Sequence, residues 1–285
     1  MRIDSHHHVW DLSVRPQDWM VGEALDAVRR NFDMSDFRVA SASTGIEKTV
    51  LCQTVMKYEE TPEFLELAAS DSTIAGVIGW LEIGAPDAIR HLDGYETLPG
   101  HEYLVGIREV AHDILDPNFL SQPQVIENVR ELGKRGYTYD ILTKTPQMTA
   151  AIELVKAAPE TQFVIDHISK PMIADGVMEP WRELIQALAK FPNTVCKISG
   201  LVTEAKWDSW KLKDFQPYID VLLESFGPSR LMFGSDWPVA LLAASYKEVV
   251  TLAEELTASL SPSESREFWS GTAIRAYGLD LGVKQ

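Results

Sequence analysis

The chain lacks the features that would tie it to a membrane, a nucleic acid or an oxidising compartment. It has no apolar run of about 18 residues, so no helix is expected to cross a bilayer. Its 26 Lys and Arg are outnumbered by 42 Asp and Glu, a net charge of −16, and they form no basic cluster. That balance argues against nucleic acid or another polyanion as partner. Cysteine is scarce. Cys52 and Cys196 each lie inside an apolar, strand-like run ("TVLCQTV", "NTVCKISG"). They read as small core residues rather than a disulfide framework, which fits a reducing cytoplasm. No basic stretch followed by an apolar one opens the chain, so no secretory signal is expected. No Gly-rich loop follows the first apolar run, which disfavours an open nucleotide-binding sheet. Linkers, low-complexity tracts and strong internal repeats are also missing.

What is present is alternation. Apolar runs rich in Val, Ile and Leu occur at "RIDSHHHV", "KTVLCQTV", "IAGVIGWLEI", "LVGIREVA", "YTYDILT", "QFVIDHIS", "NTVCKISG" and "RLMFGSDW". They lack polar alternation, as buried parallel strands do. Between them lie segments with apolar residues at three- and four-residue spacing, such as "PQVIENVRELGKRG" and "PWRELIQALAKF", which predict helices. Eight such units in 285 residues predict one (β/α)8 TIM barrel as a single domain over the whole chain. Two connections, at about 10–34 and 201–215, are long and leave the C-terminal ends of strands. They are expected to act as lids.

Polar residues gather at those strand ends. His6 and His8, at i and i+2, face the same way, and a pair so spaced can reach one metal ion. The fourth strand adds Arg108, Glu109 and His112, and the fifth adds Tyr139 and Asp140. The sixth adds Asp166, His167 and Lys170, and the seventh Lys197, Ser199 and Glu204. The eighth adds Ser235, Asp236 and Trp237. Single polar residues at strand ends often cap the next helix. Imidazoles and carboxylates from many strands on one rim are how barrel enzymes assemble chemistry. Asp236 is the expected general base and then acid. Arg108 and Lys197 are cations suited to polarising a carbonyl. Trp10, Trp80, His112, Glu204 and Trp237 are expected to hold the ligand.

The segments "DSHHHVW", "DHISKP" and "FGSDWP" resemble the amidohydrolase superfamily, and more narrowly its TIM-barrel lactonases. "VCKISGLVTEAKW" and "RLMFGSDWPVALLAASYKEV" are close to the L-fuconolactonase and L-rhamnonolactonase branch. The resemblance runs from Arg2 to about Tyr277. It implies a hydrolase that opens a sugar lactone, with His6, His8, His167 and Asp236 at metal-site positions and Asp236 activating water. It allows one divalent ion, zinc or manganese, and also metal-free catalysis. The family's fifth-strand histidine is missing from "YTYDIL". On the fourth strand Glu109 stands where related lactonases often have histidine, as a further metal ligand or a partner for a sugar hydroxyl. Other readings are a metal-dependent decarboxylase or amide hydrolase, a pyrone-dicarboxylate lactonase, a lactone isomerase, or a silent binding protein. A homo-oligomer is compatible with all of them.

Overall fold

The computed structural model describes residues 1–282. Eight strands form one sheet in sequence order: β1 (Arg2–His7), β2 (Ile46–Cys52), β3 (Ile74–Gly79), β4 (Leu104–Glu109), β5 (Thr138–Ile141), β6 (Gln162–Ile165), β7 (Thr194–Ile198) and β8 (Leu231–Phe233). Every neighbouring pair is parallel. The strands are apolar on both faces because helices cover the outside and side chains fill the inside. The helices are α1 (Met34–Ser41), α2 (Glu60–Ser70), α3 (Ala88–Tyr95), α4 (Pro123–Lys134), α5 (Met148–Ala157), α6 (Trp181–Ala189), α7 (Leu212–Phe226) and α8 (Tyr246–Leu256), followed by α9 (Pro262–Arg266) and α10 (Thr272–Tyr277). This is the expected (β/α)8 barrel.

Local chemistry sets the boundaries. The Asp33 side chain accepts from the amides of Ser35 and Asp36 and starts α1. Pro123 opens α4, where a missing N–H costs nothing. β8 is only three residues long, so "GSDW", expected as strand, leaves the regular ladder and keeps only an isolated parallel bridge from Trp237 to His7. The barrel closes through that segment. Asp236 N donates to His6 O at 2.8 Å and His8 N donates to Trp237 O at 2.7 Å. The last helix, α10, packs Ala273, Ala276 and Tyr277 against Ile3, Val50, Ile78, Val164 and Met232 and fills the barrel interior beneath the rim.

The first long connection carries a short 3-10 turn at Glu23–Val28 and is pinned by a two-way backbone bridge between Trp10 and Phe32. In the second, Trp207 Nε1 donates to Thr203 O and Trp210 Nε1 to Ala243 O. Among the described residues no helix is long and apolar enough to cross a membrane. Both cysteines are buried and unpaired.

Candidate active site

Strand alternation turns His6 and His8 inward together, and the ladder to β2 shifts register between Asp4 and His7. His7 points outward, with Nε2 3.0 Å from Thr49 Oγ1 and its ring on Phe37. His8 Nδ1 lies 2.9 Å from the Cys52 carbonyl, so Nδ1 carries the proton and Nε2 offers its lone pair. His6 Nδ1 faces Asp166 Oδ1 at 3.4 Å and Lys197 Nζ at 3.2 Å. The two Nε2 atoms stand 3.2 Å apart.

His167 reaches the same point from an unusual backbone. After β6, His167, Ile168, Ser169 and Lys170 all have positive φ, between 47° and 57°. Four consecutive non-glycine residues in the left-handed region cost of order 1–3 kcal/mol each unless their surroundings hold them. Here Trp181 Nε1 donates to Ile168 O at 2.6 Å, and Thr143 Oγ1 meets Ser169 Oγ at 3.2 Å. The turn brings His167 and Lys170 to one cleft. His167 Nδ1 is 2.9 Å from Ser199 Oγ. Gly200 makes room for the ring, since a Cβ there would lie 2.6 Å from His167 Nδ1. Asp236 is also left-handed, at φ 57°.

Asp236 Oδ1 lies 3.5 Å from His8 Nε2, 3.9 Å from His6 Nε2 and 4.0 Å from His167 Nε2. Four donors at about 2.0–2.1 Å from one zinc would stand roughly 3.3 Å apart. The observed spacing is close to that, and His6, His167 and Asp236 alone bring ligand atoms within 4.8 Å of one another. The donor set fits one divalent ion. Binding at His6 Nε2 would displace Arg108 Nη1, which lies 3.1 Å from it.

A charge-balanced layer supports this cluster. Arg108 donates to Asp166 Oδ2 at 3.0 Å. Lys197 Nζ lies 2.7 Å from Asp140 and 2.9 Å from Asp166. Tyr277 of α10 donates to Asp140 at 2.8 Å. Burial drives the His6 and His167 imidazoles well below their ordinary value, so they are neutral. Burial alone would push the Asp236 carboxyl up. The neighbouring His167 and His8 and the Lys170 ammonium more than offset this, and Asp236 stays below its ordinary value. Burial also opposes the charge on Asp166, but Lys197, His6 and Arg108 hold its carboxyl far down. The arrangement is therefore an ionised carboxylate beside the neutral imidazoles of His6 and His167.

The cluster opens into a cleft of about 540 Å³. Trp10 and His112 line it as expected, and Trp19, Gln53, Lys57 and Lys170 join them. Burial lowers the His112 imidazole to about 3, so it too is neutral.

Several expected site residues lie elsewhere. Arg108 faces inward, so Glu109 beside it faces outward. Its Oε1 accepts from Trp80 Nε1 and Val110 N, each at 2.9 Å, which removes both Glu109 and Trp80 from the cleft. Trp237 is buried behind the rim against Phe32 and Phe37. Lys197 is sealed under His6 and does not reach the cleft. Glu204 holds Lys170 Nζ at 2.6 Å. The second long loop supplies no residue to the cleft wall. Gln53, Lys57 and the seam carboxylate Asp4 were not picked out in the sequence. Position after a strand was the available signal for Gln53.

Similarity to known proteins agrees with this geometry. The chain is 33% identical to an L-fucono-1,5-lactonase of Burkholderia multivorans, over 98% of this chain and 96% of that one. It is 30% identical to the protein of that name from Burkholderia ambifaria, with the same coverage. A zinc-bound crystal structure of an amidohydrolase from Burkholderia multivorans matches with a TM-score of 0.92 and 34% identity, over 98% of this chain and all of that one. The amidohydrolase sequence profile matches residues 3–279. With the barrel, the rim histidines and Asp236 in place, the chain belongs to the amidohydrolase family.

Proposed function

We propose that this protein is a carboxylic ester hydrolase that opens the ring of a sugar lactone, with an L-fucono-1,5-lactone-like compound as its substrate class. The observation that carries the chemistry is Asp236. It is an ionised carboxylate at the cleft floor, in contact with three imidazoles. Asp236 takes a proton from water as the oxygen adds to the lactone carbonyl, and returns it to the ring alkoxide as the ester bond breaks. Neutral His6 and His167 cannot quench its charge. A divalent ion held by His6, His8, His167 and Asp236 would polarise the carbonyl and acidify the water. Arg108 adds fixed positive charge beside the reacting centre, where a developing oxyanion gains most.

The cleft wall favours a neutral polyol over a dicarboxylate. Among the protein's own lining groups Lys57, Arg108 and Lys170 are matched by Asp18, Asp113 and Asp236, so the wall itself offers no cationic surplus for a dianion. Trp10 and Trp19 offer aromatic faces to a sugar ring. The free, buried thiols suit a cytoplasmic site of action.

The test is proton release from a panel of aldonolactones, with and without chelator, by wild type and Asp236→Asn. Wild type should open a sugar lactone. Asp236→Asn should lose nearly all activity with its circular dichroism and melting temperature intact. A folded Asp236→Asn enzyme at near wild-type rate would remove the mechanism with or without a metal.

A further inference from the structure

Arg108 has five N–H donors. Nη1 serves His6 Nε2 and Asp166 Oδ2, and Nη2 serves the Gln53 carbonyl at 2.6 Å and Gln53 Oε1 at 3.0 Å. The Nη2 contact settles the orientation of the Gln53 amide, because a flipped amide would set donor against donor. Gln53 Nε2 is therefore the other terminus. It is buried, carries two N–H groups and has no acceptor among the described residues, although Gln53 lines the cleft. A buried donor left without a partner costs about 1–3 kcal/mol. A ligand oxygen would supply the missing acceptor once a small shift of the side chain opens Gln53 Nε2, which is closed to solvent, to the cleft.

The guanidinium also fixes where that oxygen lies. One edge of Arg108 touches His6, a member of the reacting cluster, and the other touches Gln53. The amide is thus displaced from the reacting centre by the width of the guanidinium. The lactone carbonyl belongs beside Asp236, so Gln53 reaches a different part of the ring.

We propose that Gln53 is a specificity-determining residue whose Nε2 donates to a ring hydroxyl of the sugar lactone. This rests on the lactonase reading above. Gln53 therefore has two separable jobs. Oε1 holds Arg108, and Nε2 reads the substrate.

Gln53→Glu keeps an oxygen for Arg108 and removes both donors. Gln53→Met removes both functions at similar size. Steady-state kinetics on the best aldonolactone and on its monodeoxy analogues separates the cases. Gln53→Glu should raise KM by about tenfold or more while keeping most of kcat, whereas Gln53→Met should raise KM likewise and also lower kcat, because Arg108 loses its support. For one monodeoxy lactone, the wild type and Gln53→Glu should become nearly equal, because the hydroxyl and its donor form one interaction. Gln53→Glu kinetics like wild type would reduce Gln53 to a support for Arg108 and overturn the proposal. So would a loss confined to kcat, which marks contact with the carbonyl, or full additivity at every deoxy position. If wild type opened no sugar lactone, the lactonase reading would fall and this inference with it. If wild type opened them and Gln53→Glu matched it, only the inference would fall. Melting temperatures of both variants identify a folding defect.

Discussion

At the residue scale, Arg108 and Glu109 show how one step along a strand separates roles. Arg108 enters the barrel and meets His6 and Asp166, while Glu109 leaves it and is satisfied by Trp80 and Val110. Glu109→Gln keeps an acceptor oxygen for both and should leave hydrolysis and zinc affinity unchanged. His167→Ala should weaken zinc binding sharply in a chelator competition. Burial raises the Glu109 carboxyl above its ordinary value of 4.5. The folded state therefore holds the proton longer than the unfolded chain, and stability is lost as pH rises through this window. Glutamine carries no such charge. Glu109→Gln should melt higher than wild type at pH 7, and the gain should fade below pH 4.5. A gain that did not change with pH, or lost zinc binding, would contradict this placement. Alternation made His6, His8 and Arg108 legible in the sequence. The same rule applied to Glu109 would have turned it outward. Gln53 carried no charge or motif, only its place just after β2, and the hydrogen bonds of Arg108 give that place its meaning.

At the scale of elements, β4 to β7 form a layer of buried charges under the site. Arg108 and Lys197 balance Asp140 and Asp166, with the Tyr277 hydroxyl on Asp140. Removing one member leaves a buried charge without compensation, which costs about 3–5 kcal/mol, whereas removing a matched pair costs less. Lys197→Met should therefore lower stability by that order in urea titrations, and adding Asp140→Asn should restore part of it. A double variant no more stable than the single one would show that the pair is not coupled. Element type was readable because β runs and helical periodicity follow from burial on two faces or one. The left-handed turn from His167 to Lys170 was not readable. "DHISK" contains no glycine to mark positive φ, and the turn is held by Trp181 and Thr143, which are distant in the chain. The missing fifth-strand histidine has a physical counterpart. Asp140 on β5 pairs with Lys197 below the cluster, and His8 completes the donor set from β1.

At the scale of the whole molecule, the first and last strands meet at the active site. β8 is short, so closure depends on polar links more than on a long ladder. Asp4 is the hub. Its Oδ1 accepts from Ser235 N at 2.8 Å and His6 N at 3.1 Å, and its Oδ2 accepts from Tyr246 at 2.9 Å. All these groups are buried, so Asp4→Ala would orphan three donors, at about 1–3 kcal/mol each. A loss of roughly 3 kcal/mol or more should lower the melting temperature by about 6 °C or more. Asp4→Asn keeps one acceptor oxygen and should lose less. Stability alone does not identify the seam, so the comparison is Leu188→Ala in α6, a buried core truncation expected to cost about 2–5 kcal/mol. His6 and Asp236 lie on opposite sides of the seam and are joined by the Asp236 N to His6 O bond. Asp4→Ala should therefore lower kcat severalfold and speed hydrogen exchange at the His8 and Asp236 amides. Leu188→Ala, even at equal loss of melting temperature, should leave kcat at 25 °C and those amides near wild type. Equal kcat and equal exchange in the two variants would mean that barrel closure and catalytic geometry are independent.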